Sequence, residues 1–373
     1  MDWQLVESDA ALAELMDAAI GCDAVMVDTE FMRRNTFYPQ VALVQLCFCG
    51  GGATGTAWMI DPLKIEDPAP LANLFKDAGV IKILHSASED LEVFQRWLGV
   101  LPLPLFDTQK AAALVGLDFG LGYRSMVLEL CNEDLPKGET RSDWLQRPLT
   151  ESQCHYAAQD VIWLLDAYQI IAERCHSMQR YDWVLEDGEE ACRGLASMSS
   201  AQYYRRIKGA WKLEPRELAA LIAISEWRER TAREKDKPRS WIIDDKACLQ
   251  LAQVGPANMN DLRSKIEMHG SSMRRYGETL LDLVAEQSAV PEAELPATLP
   301  APLNSVQRKQ MKKLKQITEK IALDLGVAPQ VLVASKDYEF LIRKDPEQPA
   351  AWAGWRRLKI IEPLRSLLEG DVA

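Results

Sequence analysis

The chain of 373 residues is 47% hydrophobic and 26% charged, which is ordinary for globular proteins and excludes extended disorder or a low-complexity array as its main content. At about 150 residues per domain, this length predicts two to three domains. The formal net charge of −12 is unevenly distributed. Residues 1–199 carry 14 Lys and Arg against 31 Asp and Glu, whereas residues 296–373 carry 13 against 9. The first half is therefore acidic and the last part mildly basic.

The N-terminal residues lack the positive region of a secretory signal, because Asp2, Glu7 and Asp9 precede the first basic residue, Arg33. The uncharged stretch 35–60 is long enough for a membrane span, but its proline, glutamines and glycine run predict two buried strands joined by a glycine turn. The eight cysteines form no Cys-x-x-Cys pair, and the four histidines have no zinc-ligand spacing. We therefore expect a soluble, cytoplasmic protein with reduced thiols, in which carboxylates hold any metal.

The first half alternates short apolar runs with helical patterns, which is typical of an α/β sheet domain. Ser8 is expected to cap a first helix, and Ser88 a helix that carries Asp90 in its first turn. Thr150 opens a capping box and a long helix that runs to about Arg174. With no helix pattern between them, the first three strands are expected to form an antiparallel meander. The predicted strands are 24–28, 41–49, 57–60, 81–85 and a short one near 105–106.

The β pattern disappears after about residue 200, and the remaining sequence predicts two helical bundles separated by a proline-rich linker. A basic run at 308–315 opens the second bundle. This run is either a solvated helix face or a face that contacts phosphates. The predicted domains are 1–200, 208–290 and 304–373, with the linker at 291–303.

Polar side chains recur at strand ends and helix starts. Asp28 and Glu30 follow an apolar strand two residues apart, so they project to the same side. Asp90 lies in a first helical turn, where the helix dipole alone explains an acid. Tyr156 and Asp160 are four residues apart on the predicted long helix and share one face. Each feature also has an ordinary structural explanation, so no single one identifies a site.

The order of these features matches a known arrangement. A strand-borne Asp-x-Glu is followed about 60 residues later by an Asp at a helix start, and about 70 residues beyond that by Tyr-x-x-x-Asp. Further matching segments are Val27–Phe31, Tyr38–Pro39, Leu43–Leu46, Ile83–Asp90, Phe106–Thr108, Arg141–Trp144, Arg147–Leu149 and Tyr156–Val161. With these residues, the chain resembles the DEDD family of 3′→5′ exonucleases, in the subclass whose third motif contains tyrosine, and within it the ribonuclease D group. The resemblance covers essentially the whole chain.

This resemblance implies a ribonuclease-H-like α/β exonuclease domain, with a mixed central sheet flanked by helices, followed by two small all-α HRDC bundles. The first bundle matches through Trp227–Pro238 and Arg275–Gly277, whereas the second matches less well. The resemblance also implies two divalent cations, Mg²⁺ or Mn²⁺. Two such cations roughly 3.5–4 Å apart activate water and neutralise the leaving oxygen in phosphodiester hydrolysis. The implied ligands are Asp28, Glu30, Asp90 and Asp160.

Other residues receive roles from the same comparison. Tyr156 is expected to orient the attacking water and help deprotonate it, with positioning as its main role because a phenol with a pKa near 10 is a poor base at neutral pH. His85 is expected at a strand end beside the ligands, with a further assignment to RNA contact. Asp107 and Asp143 are expected to be structural or to line the substrate. The RNA contacts assigned to the basic run are Lys309, Lys312 and Lys313.

The expected function is a metal-dependent 3′→5′ exoribonuclease that trims the 3′ ends of tRNA precursors and other small structured RNAs, releasing nucleoside 5′-monophosphates. Its partner is RNA with a free 3′ end, with no membrane, no small-molecule organic cofactor and a monomer as the expected state. Two alternatives remain open, a 3′→5′ DNA exonuclease of the same family and a catalytically silent RNA-binding module. The segment 141–149 and the HRDC pair favour RNA, and the five chemistry-bearing residues favour an active enzyme.

Overall fold

The computed structural model describes residues 2–136, 138–196, 200–345 and 348–370. The chain divides into two compact units. The first consists of Met1–Met32, Pro39–Ala196 and Leu303–Ala373, and the second of Arg33–Tyr38 and Ser197–Pro302. None of the described helices combines the length and apolar character that crossing a bilayer requires.

A six-stranded mixed sheet forms the centre of the first unit. Its strands are β1 (Trp3–Val6), β2 (Ala24–Met32), β3 (Gln40–Cys49), β4 (Ala57–Ile60), β5 (Ile81–Leu84) and β6 (Leu105–Asp107). Their order across the sheet is β1-β4-β3-β2-β5-β6. β2, β3 and β4 are antiparallel neighbours, as the sequence predicts. β1 pairs in parallel with β4, and β5 and β6 extend the sheet in parallel beyond β2.

Helices cover both faces of this sheet. They are α1 (Asp9–Ala18), α2 (Ala69–Lys76), α3 (Ser88–Trp97), α4 (Thr108–Leu114), α5 (Tyr123–Cys131), α6 (Glu151–Ser177) and α7 (Tyr181–Ala196). Alternate residues of β2 enter different cores: Met26 packs with the buried face of α6, whereas Val25 and Val27 pack with α1, α2 and α3. Since strand side chains alternate between faces, Asp28 projects on the same side as Met26, toward α6.

The described residues of the second unit form helices joined by loops, and none of them lies in a strand. Its α-helices are α8 (Pro215–Glu234), α9 (Arg239–Ile242), α10 (Asp245–Val254), α11 (Met259–Lys265) and α12 (Gly270–Ser288). Residues 33–38 belong to this unit because their backbone is anchored there. The amides of Phe37 and Tyr38 donate to Asp236 at 2.9 and 3.0 Å, and the Arg239 guanidinium lies 4.6 Å from the centroid of the Phe37 ring.

The last helices pack within the first unit. They are α13 (Ser305–Leu325), α14 (Pro329–Leu332), α15 (Tyr338–Arg343), α16 (Gly354–Arg356) and α17 (Glu362–Gly370), with a π-helical turn at Arg357–Ile361. Trp355 stacks on Trp183 of α7 with ring centroids 4.4 Å apart, and Arg356 forms an ion pair with Asp187. Their buried apolar side chains join the same core as α4 and α6.

Most predicted strand and helix bounds agree with the structure within a few residues, but the predicted Ser88 cap is wrong. Ala87 occupies the N-cap position, no side chain caps the helix there, and α3 begins at Ser88. The preceding turn is held by Asp107, whose carboxylate accepts hydrogen bonds from the amides of Ser86 and Ala87 at 3.0 and 3.2 Å. Asp107, from a later strand, therefore holds the turn that leads into α3 but does not cap the helix itself.

Candidate active site

The strand β2 presents two carboxylates on the face that α6 covers. Asp28 and Glu30 are both half-buried, and the strand pairing shifts between Glu30 and Phe31 in a β-bulge. Bulges bend a strand and redirect its side chains. Asp28 and Glu30 therefore project together at the point where regular pairing is interrupted.

The helix α6 supplies the third carboxylate. Its N-terminus has the predicted capping box, in which Thr150 Oγ1 accepts a hydrogen bond from the amide of Gln153 at 3.1 Å and the Gln153 side chain accepts from the amide of Thr150. Asp160 lies two to three turns further along, facing β2. Ligand oxygens of Asp28, Glu30 and Asp160 all lie within 4.8 Å of one another. We call these three side chains the carboxylate cluster.

The electrostatics of the carboxylate cluster are unfavourable for three negative charges. Burial and the charges of Asp160 and Asp90 raise the pKa of Glu30 to about 9. Burial also raises the pKa of Asp160 to about 8. The pKa of Asp28 is raised well above its ordinary value, first by burial and then by the charges of the other three acids. Asp28 therefore lies among the other three acids.

Asp90 lies beside the carboxylate cluster but outside the group of oxygens that approach one another. It is buried in the first turn of α3, and its carboxylate accepts a hydrogen bond from the Thr29 hydroxyl. Burial raises the pKa of Asp90 to about 7, although the bond from Thr29 acts to lower it. The strand residue between Asp28 and Glu30 thus orients the fourth acid.

Tyr156 lies one helical turn before Asp160. The two side chains form a hydrogen bond, in which the phenol donates to the carboxylate. Burial and the charges of Asp160, Glu30 and Asp28 raise the pKa of Tyr156 far above its ordinary value. The phenol is therefore neutral at physiological pH and acts as a donor. The Trp144 ring packs beside it, with centroids 6.0 Å apart.

Arg147 connects the segment around Trp144 to the sheet by hydrogen bonds. Its guanidinium forms two hydrogen bonds of 2.7 Å with the carboxylate of buried Asp61, and further bonds with the carbonyls of Ala42 and Trp144 at 2.6 and 2.8 Å. Asp143 accepts from the Leu145 amide at 3.1 Å. These contacts give the segment 141–149 a structural role in holding Trp144 against Tyr156.

The remaining predicted residues occupy two different places. His85 is half-buried at the end of β5, where its Nδ1 lies 3.0 Å from Thr108 Oγ1 and its ring packs edge-on against Tyr123 at 5.6 Å. The predicted basic residues lie exposed on α13, opposite its buried side chains. They are Lys309, Lys312 and Lys313. The structure does not bring them into the carboxylate cluster.

Two residues near the cluster were not predicted. Thr29 orients Asp90, and Tyr123 lies close enough that the charges of Asp160 and Asp28 contribute to the raised pKa of its buried phenol. The Tyr123 hydroxyl donates to the carbonyl of Gln159 at 2.8 Å. No spacing signal links Tyr123 to the acids, because its position depends on how α5 packs against α6.

The donor set suits hard divalent cations. Mg²⁺ and Mn²⁺ prefer carboxylate oxygens, and these three carboxylates converge without a thiol or imidazole among them. In the part of the chain that the structure describes, the carboxylate cluster has no ion pair with a Lys or Arg side chain. Buried charges of one sign require compensation, which a bound cation supplies. The residues present therefore fit a divalent metal.

Comparisons with known proteins agree with this geometry. Residues 3–175 match a 3′-5′ exonuclease family model, and residues 217–284 match the HRDC domain model. The chain is 40% identical over 372 residues to Ribonuclease D of Pseudomonas paraeruginosa, covering 98% of this chain and 97% of that protein. It is 35% identical over 384 residues to Ribonuclease D of Escherichia coli, covering 99% of each.

The fold matches as well as the sequence. The crystal structure of Escherichia coli RNase D superposes with a TM-score of 0.92 at 33% identity and covers 99% of each chain. The sheet with its carboxylate cluster is thus the exonuclease domain, and α8–α12 include the HRDC domain. The chain belongs to the ribonuclease D family of divalent-metal-dependent 3′→5′ exoribonucleases.

Proposed function

We propose that the carboxylate cluster and Asp90 hold two divalent cations, Mg²⁺ or Mn²⁺, and that this centre trims the 3′ ends of tRNA precursors and other small structured RNAs. The products are nucleoside 5′-monophosphates. The observation that carries the proposal is the convergence of Asp28, Glu30 and Asp160 within 4.8 Å, with raised pKa values and no basic partner among the described side chains.

Each acid has a distinct place in this proposal. Asp28 would be the central ligand, because the charges of Asp160, Asp90 and Glu30 all act on it. Glu30 and Asp160 would complete the set of ligands beside the attacking water. Asp90 would serve the second ion, directly or through water, with its carboxylate held by Thr29. When bound, the cations supply activation of the water and neutralisation of charge on the leaving 3′-oxygen.

Tyr156 is assigned to position the attacking water. Its raised pKa keeps the phenol protonated, so it cannot accept the proton of that water at neutral pH. Its hydrogen bond with Asp160 directs the hydroxyl to the same side as the carboxylate cluster. Replacement by phenylalanine therefore removes orientation while leaving the metal ligands in place.

The RNA substrate is supported by the relatives. The matched Escherichia coli protein is described as an exoribonuclease involved in structured RNA processing. We assign RNA contact to His85 at the edge of the site and to the exposed lysines Lys309, Lys312 and Lys313. The alternatives are a 3′→5′ DNA exonuclease and a silent RNA-binding module. The eight free cysteines, six of them buried, fit the reducing cytoplasm in which we expect the protein to act as a monomer.

We also propose that residues 304–373 form a second HRDC-like bundle after a linker at 291–303, with the exonuclease domain at 1–200 and the first HRDC domain at 208–290. A long helix followed by a four-residue helix opens both bundles: α8 precedes α9, and α13 precedes α14. Pro238 caps α9, and Pro329 begins α14. Comparing the two bundles by backbone superposition tests this assignment.

Digestion of a tRNA that carries extra 3′ nucleotides tests the proposed function. We expect stepwise trimming to nucleoside 5′-monophosphates with Mg²⁺ or Mn²⁺, none with EDTA, and none with Asp160→Asn. Digestion of a DNA oligonucleotide of matched sequence tests the DNA exonuclease alternative. That alternative requires DNA to be digested as fast as RNA or faster. Binding of RNA without trimming under every metal condition supports the silent module instead.

A further inference from the structure

Gln45 is an unusual residue for its position. It lies in the middle of β3 with its side chain fully buried, and neither its amide oxygen nor its amide nitrogen has a hydrogen-bond partner in the described part of the chain. Leaving a buried polar group unpaired is unfavourable, because the group loses its hydrogen bonds with water and gains none in return. An apolar side chain would avoid this cost, as Leu43 and Cys47 do on the same face of the strand.

The strand register places this amide beside the proposed metal site. Gln45 is the direct antiparallel partner of Asp28 on β2, and of the apolar Met59 on β4. Directly paired residues project to the same face, with Cβ atoms about 4.5–5.5 Å apart. Among the neighbours of Gln45 across the two strand pairings, Asp28 is therefore the one that offers a hydrogen-bond acceptor.

We propose that Gln45 is a positioning residue for the metal centre, whose side-chain NH₂ group donates to the Asp28 carboxylate in the metal-loaded protein, directly or through one buried water. This inference rests on the proposed role of Asp28 as a metal ligand. Residues that hydrogen-bond to metal ligands fix their orientation, and their loss typically weakens metal binding about 10–100-fold. The hydroxyl of Thr29 already provides such a bond to Asp90.

A simple packing role for Gln45 makes a different prediction for metal binding. If the amide serves only the core, replacing it by an apolar side chain of similar size changes stability but leaves metal affinity unchanged. If it serves Asp28, the replacement weakens metal binding, whereas the metal-free protein keeps or gains stability because an unpaired polar group has been removed. Metal affinity therefore separates the two roles.

The test is calorimetric titration of Mn²⁺ into the full-length protein at pH 8, with urea unfolding in EDTA on the same samples. Gln45→Leu and the volume-matched Gln45→Met are the test variants. The control is Leu46→Met, on the opposite face of the same strand, where the side chain packs with Val27. We expect the Kd for Mn²⁺ to rise about 10–100-fold in both Gln45 variants and to stay at the wild-type value in Leu46→Met.

A Kd within about twofold of the wild type in a folded Gln45 variant overturns the proposal, whatever happens to stability. If Gln45→Leu does not fold, the Kd of Gln45→Met for Mn²⁺ decides between the two roles. Failure of the proposed function itself looks different, because wild-type protein would then bind no Mn²⁺ at all.

Discussion

In the exonuclease domain, the pKa values of Asp61 and of the carboxylate cluster are shifted in opposite directions. Asp61, directly after β4, is almost fully buried, which acts to raise its pKa, but the hydrogen bonds and charge of Arg147 outweigh burial and hold its pKa below the ordinary value. The acids of the carboxylate cluster are half-buried without such a partner, and their pKa values are raised.

This difference separates a structural acid from acids that need a ligand. At Asp61 the chain supplies its own cation, so the pair is complete when the protein folds. At Asp28, Glu30 and Asp160, the described part of the chain supplies none, and compensation must come from solution. Buried ionised groups are rare unless they are paired or coordinate metals. We therefore propose that Asp61 stabilises the fold and that the carboxylate cluster binds metal.

The largest expected effect follows Asp160→Asn. The amide keeps an oxygen for the Tyr156 hydroxyl but removes a proposed metal ligand, so trimming of RNA should fall by more than the roughly 10–100-fold seen when only a supporting partner is lost. The metal-free protein should be more stable at pH 8, on the order of a few kcal/mol, because a buried charge is gone. Single-turnover digestion and urea unfolding in EDTA measure the two effects.

Asp166→Asn is the matched control for this variant, since Asp166 is exposed on the same helix. It should retain both the activity and the stability of the wild type. Equal loss of activity in both variants would mean that α6 tolerates no change of charge, and would remove the specific role of Asp160.

The second effect is on stability. Arg147→Met leaves Asp61 buried without its partner and should lower the free energy of unfolding by about 3 kcal/mol, at the low end for a buried pair because the Arg147 side chain is 19% exposed. Urea unfolding at pH 7 measures this change. The double variant Asp61→Leu with Arg147→Met should recover part of the loss, because neither charge remains unpaired.

Lys64→Ala provides the comparison for an exposed ion pair. The Lys64–Glu7 pair has both side chains more than 40% exposed, so its loss should cost less than about 1 kcal/mol. A loss in Arg147→Met no larger than this would contradict the structural role of the buried pair.

Asp61 and the carboxylate cluster should also change the stability of the protein with pH in opposite directions. A raised folded pKa means that the unfolded chain ionises first, near pH 4, so stability is lost as pH rises toward the folded values of about 8 for Asp160 and about 9 for Glu30. Asp61 has the opposite sign: its contribution is present above pH 4 and lost as pH falls through its lowered pKa.

Unfolding midpoints measured from pH 3 to 10 in EDTA test this sign difference. Asp160→Asn should flatten the loss of stability between about pH 4 and 9. Asp61→Asn should flatten the loss of stability at low pH. Mn²⁺ should restore the stability of the wild type at high pH. An unchanged decline in Asp160→Asn would contradict a raised pKa of Asp160 in the folded protein.

The smallest effect concerns the exposed lysines. Replacing Lys309, Lys312 and Lys313 together by glutamine should weaken RNA binding and reduce its dependence on salt, because fewer counterions are released. A triple variant of Lys64, Lys76 and Lys110, exposed in the exonuclease domain, makes the same change in net charge. Equal RNA binding by the two triple variants would mean that the basic run is only a solvated helix face.

Local signals explain why the sequence predicted the strand with Asp28 and the helix with Asp160. The apolar run that ends in acids and the capping box at Thr150 are both patterns of a few consecutive residues. The edge strand β1 was missed because four residues carry little pattern and its pairing partner β4 is more than 50 residues away.

The contacts that refine the site depend on distant residues. Thr29 and Asp90 are 61 positions apart, and Asp61 and Arg147 are 86 positions apart. Ser88 looked like a helix cap, yet Asp107 from a later strand supplies the hydrogen bonds at that turn. Pairwise tertiary contacts of this kind leave no periodic trace in the sequence.

The most direct test of the central claim is the number of Mn²⁺ ions that the wild type and Asp160→Asn bind at pH 8, measured by calorimetric titration. We expect the wild type to bind two ions, and Asp160→Asn to lose at least one of them or bind it much more weakly. Equal binding by the two proteins, or no binding by the wild type, would contradict the assignment of these buried acids to a metal centre.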